Sequence, residues 1–79
     1  MTIIINYDNI EDKGYIDTLN IYASSMFPTT KTILGELYLE PSPSQDWGHS
    51  LNVLNEQVGF DFKYRTVNCT LSEYIASLR

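Results

Sequence analysis

The stretch from Ser42 to Val67 constrains the fold more than any other part of this chain, because a helix start, an apolar stripe, a helix stop and an alternating strand follow there in order. Ser42-Pro43-Ser44-Gln45 reads as an N-cap, a first-turn proline and a glutamine placed to reach back to the N–H of the cap residue. Trp47, Leu51, Leu54 and Val58 recur at helical spacing, which gathers them on one side of a helix, while Gln45, His49, Asn52 and Glu56 fall on the other. Gly59, just past Val58, turns left-handed without a side-chain penalty. Phe60-Asp61-Phe62-Lys63-Tyr64-Arg65 then alternates with period two, rings on one strand face and charges on the other. The helix seam and the aromatic face are neighbouring apolar surfaces. Phe60, Phe62 and Tyr64 are therefore expected in one core with Trp47, Leu51, Leu54 and Val58.

The remaining segments extend this pattern. Thr2 to Tyr7 is short and β-branched, a first strand with a polar end at Asp8-Asn9. From Tyr15 to Phe27, Tyr15, Ile16, Leu19, Tyr22, Ala23, Met26 and Phe27 share one broad helical arc and leave only Ile21 outside it. The spacing predicts a helix from about Asp12 to Met26, ended by Phe27-Pro28. Gly14 and the many Tyr, Ile and Thr residues favour extended chain, so a strand over Leu19 to Ala23 is the competing reading. Thr29 through Leu39 reads as a second strand, with Ile33, Leu37 and Leu39 on one face, Leu34 and Tyr38 on the other, and Glu40-Pro41 ending it. Thr70-Leu71-Ser72-Glu73 is a capping box opening a last helix that carries Leu71, Tyr74, Ile75 and Leu78. The expected fold class is α/β or α+β: a three-stranded sheet packed by two to three helices in the order β-α-β-α-β-α. Short connections around the crossover helices favour parallel strands. With residues 15–26 extended instead, the fold becomes α+β with an antiparallel meander.

A chain of 79 residues has room for one core, so residues 1–79 form a single domain. An apolar share of 43% is that of a globular protein. One cysteine, Cys69, allows no internal disulfide and fits a reducing compartment. The longest apolar run, Ile3-Ile4-Ile5, is far shorter than a membrane span, and the first residues lack the basic start and apolar core of a secretory signal. A cytoplasmic chain without a membrane partner is expected. Asn68-Cys69-Thr70 matches a glycosylation acceptor, but in that compartment it reads as a turn leading into the helix cap.

Catalytic chemistry finds little support. His49 is the only histidine; Asp46 and Glu56 share its helix, but no second His/Cys cluster completes a metal site. Cys69 has no neighbouring motif to activate it. The four glycines, Gly14, Gly35, Gly48 and Gly59, are isolated, and none joins a strand to a helix as a phosphate loop does. No cofactor and no enzymatic activity are expected. Gly59-Phe60-Asp61-Phe62-Lys63-Tyr64 resembles the aromatic strand motif of the RNA-recognition motif, which implies rings stacked on bases. The match covers six residues. It lacks the small residue after the first ring, and Val58 stands where the motif has Lys or Arg. A net charge of −5 also opposes phosphate binding, so direct contact with nucleic acid is not the expected role.

Six tyrosines, three phenylalanines and a tryptophan exceed what so small a core easily hides, and half-wet Tyr and Trp make good interface anchors. Asp8, Glu11, Asp12 and Asp17 gather around the start of the first helix beside Tyr15, where they complement the helix dipole and present a surface of one sign. These five residues are the candidate partner-binding set. The expected function is a small acidic, non-enzymatic protein-binding module, an inhibitor or adaptor of a larger protein with a basic surface. Occupation of a nucleic-acid groove, in the manner of phage-encoded anti-CRISPR or anti-restriction proteins, is one form of it. The alternatives are a single-stranded nucleic-acid-binding domain using Lys63, Arg65 and the aromatic strand, and a structural or homo-oligomer-forming protein.

Overall fold

A computed structural model describes residues 1–8, 11–59 and 62–78. Among them the chain forms β1 (Thr2–Asn6), α1 (Lys13–Met26), β2 (Thr29–Ile33), β3 (Glu36–Glu40), α2 (Trp47–Val58), β4 (Lys63–Val67) and α3 (Leu71–Ser77). The strands make one sheet in the order β2-β3-β1-β4, with every neighbouring pair antiparallel. This is a small α+β domain with a four-stranded sheet, in place of the three parallel strands expected.

One turn accounts for the difference. The segment read as a single strand from Thr29 to Leu39 is a hairpin, reversed at Leu34 and Gly35, whose φ angles are 43° and 80°. Positive φ at both central residues is what a type I′ turn requires, and that turn matches the twist of the strands it joins. Leu37, Tyr38 and Leu39 belong to β3, a central strand buried on both faces, whereas Ile33, expected on the face of Leu37 and Leu39, ends β2 and packs on the other side with Tyr38, because the turn restarts the alternation. The hairpin sends β3 back between β1 and β2. The two crossovers, β1-α1-β2 and β3-α2-β4, do join parallel strands, but each pair is separated by a strand of the other unit. Two interlocked βαβ units of this kind make the ferredoxin-like arrangement.

The helices divide between the sheet's faces. Ile3, Ile5, Leu37 and Leu39 face α1 and α2, where Leu19, Ala23, Phe27, Leu51, Leu54, Val58 and Phe62 complete the main core with Ile16, Tyr22, Met26 and Trp47 packed at its margin. The α1 arc is thus a helix and not the competing strand, and Ile21, outside the arc, is 69% exposed. On the other face α3 lays Leu71, Tyr74 and Ile75 over Ile4 and Tyr38.

Two local expectations shift. The α2 N-cap is Asp46, whose carboxylate accepts the His49 N–H at 3.2 Å, and Ser42–Gln45 is a separate turn before it. Gln45 does reach back, its Oε1 accepting the Ser42 N–H at 3.2 Å, but its Nε2 donates to the Met26 carbonyl at 2.7 Å and ties the turn to the end of α1. Phe60 and Asp61 lie outside the described residues. Phe62 is buried ahead of β4, but Tyr64, expected in the core, is 48% exposed because β4 lies at the sheet margin. Gly59 closes α2 at φ 70° and Thr70 caps α3 by accepting the Glu73 N–H, both as the sequence predicts.

Candidate functional site

The end of the sheet where β1 finishes and the β2–β3 hairpin turns collects most of the candidate residues. β1 ends in an Asx turn, with the Asp8 N–H donating to Asn6 Oδ1 at 2.9 Å. The Tyr7 N–H donates to the Gly35 carbonyl at 2.9 Å, so the hairpin tip is fastened to the chain leaving β1. The Asp8 carboxylate lies where a side chain at Gly35 would begin, and a Cβ there would overlap it. Gly35 is thus required twice, by its positive φ and by the close approach of Asp8.

Leu34, next to it, is the anomaly. It is 94% exposed, and it is the one non-glycine residue with positive φ among the described residues. A branched side chain in this conformation costs about 1–2 kcal/mol. Turn positions with positive φ usually carry Asn, Asp or Gly, which lower that cost and are polar. The fold therefore holds an almost fully solvated apolar side chain at the hairpin turn, on strained backbone.

The chain passes from this end of β1 into α1, which brings Glu11 and Asp12 to the same end of the molecule. Asp12 is the N-cap of α1 and accepts the Gly14 N–H at 2.8 Å. Tyr15 is 44% exposed and, with Asp12, Gly14, Thr18, Gln57 and Val58, borders an open depression of about 390 Å³ between the start of α1 and the end of α2. Glu11 and Asp17 are exposed, Asp17 a turn further along α1. Of the five candidates, Asp12 and Tyr15 share the depression, Asp8 sits at the hairpin, and Glu11 and Asp17 flank them. One of the carboxylates, that of Asp12, also caps α1, and that of Asp8 lies against Gly35. Leu34 falls within a strand on the sequence pattern alone, and Gly35 is the one signal there that a turn intervenes.

Beneath the tip, Tyr7 is held protonated above the usual tyrosine range, first by burial, then by the nearby Asp8 carboxylate, against a Thr32 hydrogen bond that acts the other way. On the α3 side Tyr38 is shifted the same way by burial and by Glu36 and Tyr74, with Arg65 opposing. Arg65 Nη2 donates to Glu36 Oε2 and to the Tyr74 hydroxyl, both at 3.1 Å, and the Tyr38 and Tyr74 rings lie 5.6 Å apart at 44°.

His49 is exposed on α2 and Cys69 half-buried before α3, where its carbonyl accepts the Thr2 hydroxyl at 2.7 Å. Among the described residues no three His, Cys, Asp or Glu side chains gather as a metal cage. Of the rings in the segment resembling an RNA-recognition strand, Phe62 is buried, and the exposed Tyr64 is the only described ring left to stack on a base. No helix among the described residues is long and apolar enough to cross a membrane. Comparison of the chain with protein-family models, with curated proteins and with solved structures finds no match.

Proposed function

We propose that the chain is a non-enzymatic protein-binding module, an inhibitor or adaptor, that docks through the hairpin end of its sheet. Leu34 is the anchor, seated in an apolar pocket of the partner. Asp8, Glu11, Asp12 and Asp17, with Tyr15, form the rim against basic residues around that pocket. The observation that carries this reading is the solvated, positive-φ Leu34 on a turn fastened beside Asp8. Strain held at an exposed residue, where a polar residue would relieve both exposure and backbone cost, points to a position used for contact. Carboxylates around it favour encounter with a surface of opposite sign. A basic groove of a nucleic-acid-binding protein has that chemistry.

The test uses the full chain immobilised in a native lysate, with captured proteins identified by mass spectrometry and then measured in purified form. Leu34→Asn keeps the turn, relieves its strain and removes the anchor, so it should fold at least as stably as the parent and bind the captured partner at least about tenfold more weakly. Glu11→Lys combined with Asp17→Lys should slow association at low salt and lose that effect at high salt. A partner that binds Leu34→Asn as tightly as the parent removes the basis of the reading.

A further inference from the structure

Strand β4 ends the sheet on one side. It pairs with β1, and no strand among the described residues pairs with its outer edge. Such an edge presents a row of unpaired N–H and C=O groups to any extended chain that fits it. Lys63, Tyr64, Arg65 and Thr66 are all exposed, and their alternation gives the edge two different faces. Register with Asn6 and Ile4 puts Lys63 and Arg65 on the α3 side, while Tyr64 and Thr66, opposite Ile5 and Ile3, point to the α1–α2 side.

The α3-side face has its own chemistry. An open depression of about 260 Å³ lies over β1 on this face, inboard of the edge, lined by buried Ile4 and by Asn6, by Glu36 of β3 and by Lys63, Tyr64 and Arg65 of β4. Glu36 is ion-paired with Arg65, whereas Lys63 forms no ion pair among the described residues. Among the described residues lining the depression, two of the chain's five basic residues thus meet one carboxylate, a local excess of positive charge among them in a molecule of net charge −5.

We infer that β4 accepts a fifth strand: an extended protein segment in which acidic side chains alternate with apolar or β-branched ones. The acidic residues lie directly opposite Lys63 and Arg65, on the α3 side of the sheet. The apolar residues cover Tyr64 and Thr66. Opposite charges and aromatic–β-branched contacts across neighbouring strands are the pairs that stabilise sheets, and main-chain bonding along the edge supplies the rest. A second copy of this chain fits poorly. Antiparallel self-pairing centred on Arg65 sets Arg65 against itself, and pairing centred on Tyr64 sets Lys63 against Arg65.

The probe is a capped Glu-Val-Glu-Val-Glu-Val peptide, titrated into the full chain and followed by backbone amide NMR. Two controls are the Lys-Val-Lys-Val-Lys-Val peptide and a reordered Glu-Glu-Glu-Val-Val-Val. Saturable shifts centred on Lys63–Val67, slower amide exchange there and weakening by salt are expected. Lys63→Glu should weaken the alternating acidic peptide by about tenfold or more and strengthen the lysine peptide, with an unchanged spectrum elsewhere showing that the variant is folded. Leu34→Asn should leave this binding untouched, which separates it from docking at the hairpin. No saturable shift at millimolar peptide overturns the inference. So do equal binding of either control, shifts centred on β2, or sedimentation showing that β4 is covered by a second copy.

Discussion

At the scale of single residues, Leu34 and Gly35 show opposite relations between a side chain and its backbone. Gly35 suits its place in both respects, and Gly35→Ala should cost at least about 1–2 kcal/mol from backbone strain, with the overlap on Asp8 added. Asp8→Ala should make Gly35→Ala cheaper than it is in the parent, a coupling that a double-mutant cycle in reversible denaturant unfolding measures directly. Additive effects would mean that the carboxylate moves aside freely. Leu34 suits its place in neither respect. Leu34→Gly should therefore stabilise the fold by about 1 kcal/mol, and the same measurement reads it. Little of this was legible in the sequence. Gly35 announces itself as a turn residue, but Leu34 lacks the Asn or Asp that usually marks the first position of such a turn, and its apolar side chain extends the pattern of the strand.

At the scale of elements, legibility followed how local the determining contacts are. The α1 and α2 seams, the Gly59 stop and the Thr70 cap depend on neighbours within a turn or two and stand where the spacing predicts them. The start of α2 does not: Asp46 supplies the cap, and the Ser42–Gln45 turn before it is tied through the Gln45 amide to the Met26 carbonyl, a partner 19 residues away. The cap assignment separates two otherwise similar substitutions: Asp46→Ala should cost about 1 kcal/mol, whereas Ser42→Ala should stay within about 0.5 kcal/mol. Equal losses would place the helix start back at Ser42. The seam has a sharper test. Leu51, 1% exposed between α2 and the sheet, should cost about 2–5 kcal/mol on truncation to alanine. Leu78, 56% exposed just past α3, should be nearly neutral, with thermal unfolding reading both.

At the scale of the whole molecule, the apolar periods specify which residues are buried but not which strands are neighbours. Strand order depends on the hairpin returning β3 between β1 and β2, and that contact set is spread over the full chain. Tyr64 shows the consequence: its alternation is sound, yet a strand at the margin leaves a core-patterned ring exposed. The same layout puts one perturbed tyrosine in each layer, Tyr7 beneath α1 and α2 and Tyr38 beneath α3. In both, burial is the largest cause, carboxylates (Asp8 at Tyr7, Glu36 at Tyr38) add to it, and the fold favours the neutral phenol. The folded chain therefore holds these protons to higher pH than the unfolded chain, whose tyrosines titrate near 10.0. By linkage, this contribution to stability is fully present below that value and is lost as pH rises through the raised ones. Denaturant midpoints should fall across the alkaline range together with the late rise of tyrosinate absorbance. Tyr7→Phe and Tyr38→Phe should each flatten that fall, since a ring without a hydroxyl has no proton to lose. An alkaline profile unchanged in both variants would show that neither layer's phenol is coupled to folding.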